Sequence, residues 1–472
     1  MDDERIWQSD ACELAAAIKA QELKATEVTE VHLRRIEKYN EVLNAVVYLD
    51  PDSALQTASR IDEAIAAGND PGALAGIPIL VKDLEDVAGM PTTRGSLLFA
   101  DNVATSDSTH VARLKKAGVV VLGKSAAPEF GSIPFTRSKL FGITRNPWDT
   151  EKTPGGSSGG SSAAVAAALV PLATASDGGG STRIPASYTG LVGHKPTRGL
   201  VPHGPGYAGL ARFSVLGCIS RSVRDTARYL DCVSGPSPYD TDTYPVTPHF
   251  ESDLEQDLPR PLRAGWSATL GFGTCDQKVE RIAGAAAEEV CKVCDISLED
   301  VEIAFKDPAK AWSVLGSLDL LYELREYLPD RYDDLTPVVQ ASVQMARHLT
   351  IEDIGRAGDR VHGLVEAQAE LFEKIDLLFT PTTATTAFEA GGPMPLEIAG
   401  RRVGPMGALP FTYPFNLMGN PAISVPAGTD SSGMPVGLQI VGPRFSDGLL
   451  LQVAHRYEKA VGWQKFAPLA LD

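Results

Sequence analysis

The sequence is short of positive charge. Its 43 lysines and arginines stand against 60 aspartates and glutamates, leaving a net charge of −17. Nucleic acid and anionic membrane both call for a basic face, so the deficit argues against either as partner and favours plain solubility. Cysteine is sparse: of Cys12, Cys218, Cys232, Cys275, Cys291 and Cys294 only the last two lie close together. No second Cys or His pair at zinc-site spacing accompanies them, so free thiols in a reducing compartment are expected. No apolar run is long enough to span a bilayer; Ala163 to Ala175 is the longest, and it is alanine-rich and contains Pro171. Met1 to Arg5 carries no basic-then-apolar pattern of a secretory signal, and the expected compartment is the cytoplasm. There is no Gly-x-x-x-x-Gly-Lys-Ser/Thr, and no Gly-x-Gly-x-x-Gly between a strand and a helix, which argues against nucleotide binding.

Glycine and serine are plentiful in one region. Thr153-Pro154-Gly155-Gly156-Ser157-Ser158-Gly159-Gly160 is followed by Ser176-Asp177-Gly178-Gly179-Gly180-Ser181, so that Ser157 and Ser181 occupy two glycine-rich turns. A flexible linker would have polar flanks. These turns are flanked instead by Asn146-Pro147-Trp148 and by the apolar run 163–175. A serine in a glycine turn sets a hydroxyl beside free backbone N–H groups, the requirement of a nucleophile with an oxyanion hole. The missing element is a base. No histidine lies in the segment, the nearest downstream being His194. A lysine serves if burial keeps it neutral, and Lys82 closes the strand-like run Ile77-Pro78-Ile79-Leu80-Val81.

These pieces, in order, resemble the amidase signature family of serine hydrolases. The matching stretches are Gly76 to Asp83, Gly123-Lys124-Ser125 with Pro128-Glu129-Phe130, Thr144 to Trp148, both serine turns, Asp177 to Pro185 and Gly193 to Thr197. Phe411 to Gly442 is similar as well, while about 235–375 resembles the family weakly. The resemblance implies a Ser–cis-Ser–Lys set: Ser181 as nucleophile, Ser157 bridging after a cis peptide, and Lys82 as base, with Ser158 helping to hold the lysine. The N–H groups of Gly178, Gly179, Gly180 and Ser181 would form the oxyanion hole, Asp177 and Arg183 the supporting pair, and Gly131 and Ser132 a substrate contact. Ser176 stands where threonine is common, and Gly178 where a larger residue is. No metal or cofactor is called for.

The implied substrate is a small or medium uncharged amide, with aryl or alkyl esters and carbamates as the alternative, since all pass through a tetrahedral oxyanion. Relatives that amidate misacylated tRNA commonly carry glutamine after the arginine; here Ile184-Pro185 follows Arg183, which points to a stand-alone enzyme. A homodimer is consistent with the family.

Hydrophobic patterning predicts helices through 9–67, the first capped by Ser9 or Asp10, and further helices at 108–117, 159–168, 222–233, 276–294 and 351–374. Strands are predicted at 77–81, 119–123, 170–175, 262–266, 376–380, 422–427 and 436–441. The alternation implies an α/β fold with a mixed, largely parallel sheet covered on both faces; the resemblance implies one α/β/α sandwich around a long twisted mixed sheet. One domain is expected over 1–472: N-terminal helices to 70, a core at 71–234, a variable pocket region at 235–400, and a C-terminal part of the core at 401–472; the residues of 305–350 read as helix packing, while the resemblance implies that this segment often roofs the substrate pocket.

Overall fold

The computed structural model describes residues 2–206, 209, 212–303 and 305–471. Its centre is an eleven-stranded mixed sheet. In chain order the strands are β1 (Val46–Leu49), β2 (Pro78–Lys82), β3 (Val120–Ser125), the short β4 (Arg137–Ser138) and β5 (Gly142–Ile143), β6 (Leu172–Asp177), β7 (Val192–Lys195) and β8 (Val215–Ser220). Then follow β9 (Leu262–Trp266), β10 (Ile296–Glu299), β11 (Leu377–Pro381), the short β12 (Glu397–Ile398) and β13 (Arg401–Arg402), β14 (Ala422–Thr429) and β15 (Pro435–Val441). The sheet order is β1-β3-β2-β6-β8-β7-β14-β15-β11-β9-β10, and the four short strands pair off as two ribbons.

Burial explains the strands. Pro78-Ile79-Leu80-Val81-Lys82 is buried throughout, as a central strand covered on both faces must be. Along β11, Leu377 and Phe379 join one apolar core while Leu378 joins the other, the period-two signature of a sheet between two layers. One covering element, the helix Gly159–Ala166, is buried along its whole length. Its small residues allow a close approach: a Cβ on Gly160 would meet Ala126 N at 2.3 Å. The helix Ala11–Lys19 starts with an Asp10–Glu13 capping box.

All seven predicted strands are present, and the α/β class holds. Three expectations change. The N-terminal region is not all helix, because β1 lies within it and pairs with β3. Strands β7, β8 and β10 went unpredicted; β7 and β8 carry Gly193, His194, Lys195 and Gly217, residues of low strand propensity that burial in the sheet overrides. The sheet is also less parallel than expected. The pairs β2–β3, β2–β6, β9–β10 and β9–β11 are parallel. The pairs β1–β3, β6–β8, β7–β8, β7–β14, β14–β15 and β11–β15 are antiparallel. No described helix is long and apolar enough to cross a membrane.

Candidate active site

Parallel neighbours β2 and β6 end on the same edge of the sheet, so Lys82 at the end of one comes beside Ser176 and Asp177 at the end of the other. The Lys82 backbone N–H donates to Thr174 Oγ1 at 2.9 Å, locking the register. Its side chain is fully buried. Nζ donates to three hydroxyls, Ser157 Oγ at 2.8 Å, Ser158 Oγ at 2.8 Å and Ser176 Oγ at 2.9 Å. None of these partners is a carboxylate. Burial therefore dominates and lowers the Lys82 pKa to about 7, with Glu85 and Asp177 offsetting it in part.

Ser157 follows a cis peptide bond from Gly156, as the resemblance implies, and is itself buried. Ser181 is half-buried, just ahead of the helix Arg183–Thr189. The two serine turns are joined through the backbone, with Ser158 N donating to Ser181 O at 3.2 Å. Ser181 Oγ has no hydrogen bond to a described residue, so the Lys82–Ser157 link is made and a Ser157–Ser181 hydroxyl link is not.

The loop from Asp177 to Ser181 is braced by a fully buried ion pair. Arg183 Nε and Nη2 each reach Asp177 at 2.9 Å, and neither side chain is exposed. Burial alone would raise the Asp177 pKa, but the Arg183 guanidinium holds it well below the usual carboxylate range. The other Arg183 donors go to Thr412 O at 2.9 Å, Gln439 Oε1 at 2.7 Å and Asn416 Oδ1 at 2.7 Å, leaving the guanidinium satisfied. Gly180 N donates to Asp177 Oδ1 at 2.6 Å. This corrects the expectation for Gly180, whose N–H is used to close the loop on its own carboxylate and is not free for an oxyanion. The N–H groups of Gly178, Gly179 and Ser181 donate to no described residue.

Gly131 adopts φ +67°, and a Cβ there would lie 3.1 Å from Ser157 Oγ, so it does border the site. Ser132 turns its hydroxyl into its own loop, donating to Glu129 O at 2.7 Å. Two contributors escaped the sequence reading. Ser176 is a direct partner of the lysine, a contact that only the pairing of β6 with β2 reveals. Trp312, noted only as part of the 305–350 segment, donates from Nε1 to Gly178 O at 2.7 Å. No cluster of metal-ligating side chains occurs among the described residues.

Fold and site together define an amide hydrolase. The Amidase family profile matches residues 27–451. An acylamidase of Rhodococcus erythropolis is 34% identical over 476 residues, covering 99% of this chain and 98% of its own. A glutamyl-tRNA(Gln) amidotransferase subunit of Carboxydothermus hydrogenoformans is 33% identical over 496 residues, with coverage of 98% and 99%. Among solved structures, a bacterial aryl acylamidase of the amidase signature family superposes with a TM-score of 0.91 at 28% identity, covering 98% of both chains. The chain belongs to the amidase family.

Proposed function

We propose that this amidase hydrolyses small or medium uncharged carboxylic amides through an acyl-enzyme on Ser181. The observation carrying the proposal is the Lys82 amine, buried, in contact with hydroxyls alone, and able to exist as the free base near neutral pH. Neutral Lys82 takes the proton of Ser157, and Ser157 takes that of Ser181 as its oxygen attacks the carbonyl. The oxyanion is received by the N–H groups of Gly178, Gly179 and Ser181. Collapse expels the amine, protonated through Ser157, and water attacking the ester by the reverse relay releases the acid.

Aromatic side chains border the glycine loop. Trp312 lies against Gly179 and Phe213 against Gly178, in keeping with an uncharged, aryl-bearing substrate. The similarity to an acylamidase and to an aryl acylamidase supports that choice. Carbamates and esters would be handled by the same relay. The similarity to a component of a tRNA-dependent amidotransferase favours a second reading, as a partner-dependent amidotransferase. Ile184 after the arginine and the net charge of −17 weigh against it.

A panel of p-nitroanilides with matched p-nitrophenyl carbamates and esters, plus glutamine with and without acceptors, tests the proposal on wild-type and Ser181→Ala protein. The expected result is anilide cleavage by wild type alone, with the variant down at least about 10³-fold. Unchanged hydrolysis by the variant would sink the assignment of Ser181. Turnover confined to glutamine with an added partner would replace the hydrolase by the amidotransferase reading.

A further inference from the structure

In a trans peptide the C=O of one residue and the N–H of the next point in opposite directions. Whatever holds a carbonyl therefore aims the following N–H. Every carbonyl from Asp177 to Ser181 is held. Asn416 Nδ2 donates to Asp177 O at 2.7 Å, Trp312 Nε1 to Gly178 O at 2.7 Å and Thr412 Oγ1 to Gly179 O at 2.7 Å. Ile184 N donates to Gly180 O at 2.7 Å, and Ser158 N to Ser181 O at 3.2 Å. The N–H groups so aimed include those of Gly178, by Asn416, of Gly179, by Trp312, and of Ser181, by Ile184.

Trp312 differs from the other anchors in origin. Asn416 and Thr412 flank the buried Arg183, and Ile184 and Ser158 are neighbours of the serine turns. Trp312 comes from the helix Ala309–Leu324, in the weakly resembling middle of the chain. Its ring is seated between Phe213 and Tyr413, with centroids at 6.1 and 6.3 Å. The helix start is fastened to the same place, because Asp307 Oδ1 accepts from both Ala309 N at 2.9 Å and Tyr413 Oη at 3.0 Å. The ring also presses on the loop: a Cβ on Gly179 would come within 2.9 Å of the indole.

We propose that Trp312 is a positioning residue for the oxyanion hole, its Nε1–H fixing the Gly178–Gly179 peptide so that the Gly179 N–H faces the developing oxyanion. The helix 309–324 thereby sets transition-state stabilisation from the carbonyl side of the loop, away from the oxyanion. This rests on the acyl-enzyme reading with Ser181.

The test is Trp312→Phe, which keeps an aromatic ring and removes the donor. Three quantities are measured: anilide turnover, inhibition by phenylboronic acid, which forms a tetrahedral anion on a serine, and inhibition by benzyl alcohol, which fills an aryl pocket without an oxyanion. The expected result is a kcat lower by about 10-fold at unchanged KM, short of the 10²–10³-fold loss when a donor is removed outright. Boronate affinity falls by the same factor, and benzyl alcohol binds as before. Equal loss of boronate and benzyl alcohol affinity, a change in KM alone, or no change at all would overturn the proposal. The same measurements with β-(3-benzothienyl)alanine at 312, which loses only the N–H, decide the matter if phenylalanine unsettles the fold. Ser181→Ala separates the two levels, since full turnover or boronate binding by that variant would refute the acyl-enzyme reading whatever Trp312 does.

Discussion

At Lys82 burial and charge pull in opposite directions. Burial favours the free amine, while Glu85 and Asp177 favour the ammonium, and the balance lies near pH 7. In the proposed relay Lys82 acts as the free amine, so anilide turnover should rise with pH through about 7 and level off above it. Glu85 is the lever on that balance. Burial works against its ionisation, but His110, 2.6 Å from Oε2, holds its pKa below the usual value, so it is anionic when Lys82 titrates. Glu85→Gln takes away an anion that favours the ammonium, so the limb of the pH–rate profile should move to lower pH by about half a unit to one unit, less than a directly contacting charge produces. An unmoved or alkaline-shifted limb would show that another group governs the profile. Lys82, Ser157 and Ser181 stood out in the sequence as candidates because each lies inside a local motif. The Lys82–Ser176 contact did not, since it depends on β2 pairing with β6 across about ninety residues of chain. Nor did the Gly180–Asp177 bond, because a glycine run does not tell which of its N–H groups the loop itself consumes.

The elements differ in how firmly they are held. Strands β6, β8 and β15 are almost wholly buried, and β14 is buried from Ala422 to Pro426. The helix Ala309–Leu324 buries only Ala311, Val314, Ser317 and Leu324. In the 22-residue helix Ile351–Phe372 only Ala357, Leu364, Gln368 and Leu371 are buried, and Ile351 is 90% exposed. Elements with few buried apolar contacts open at lower free energy than the core. In native-state hydrogen exchange the amides of 309–324 and 351–372 should therefore exchange well before those of the four strands. Equal protection would mean that the helices and the sheet open as one unit. The same contrast explains which elements the sequence disclosed. Long apolar runs such as 77–81 and 436–441 announce strands by themselves, whereas β7 and β8 are strands because neighbours on both sides pair with them, and β1, at the sheet edge, because β3 does. Sequence patterning placed the 351–372 helix within two residues, but could not show that Trp312, from the helix 309–324, reaches the glycine loop at Gly178.

On the scale of the whole molecule, the two ends of the chain close on each other. Arg35 Nη2 donates to Ala167 O at 3.0 Å and Ala470 O at 2.9 Å, Lys465 pairs with Asp10 at 2.6 Å, and Trp7 meets Phe466 edge-on at 5.4 Å. Carboxylates collect at this closure. Asp225 accepts from Ala11 N and Cys12 N, and Glu458 from Val223 N at 2.9 Å. Burial, with Asp10 and Asp225 nearby, raises Glu458 to about 7, against the pull of Val223 N and Lys465. His455 Nδ1 also stands 4.0 Å from its carboxylate. From about pH 4.5, where the unfolded chain releases this proton, to about 7, where the folded protein does, the folded state holds the extra proton. Its contribution to stability is thus complete in acid and lost as pH rises through that window. Glu458→Gln keeps an acceptor for Val223 N and removes the titration. Wild type should lose about 2–3 kcal/mol more than the variant between pH 4.5 and 8, read from thermal or denaturant melts at the two pH values. A smaller slope in the same direction should remain in the variant, because burial and Asp10 raise Asp225 to about 6. Identical pH slopes in the two proteins would show that Glu458 ionises in the folded state as it does in the unfolded chain.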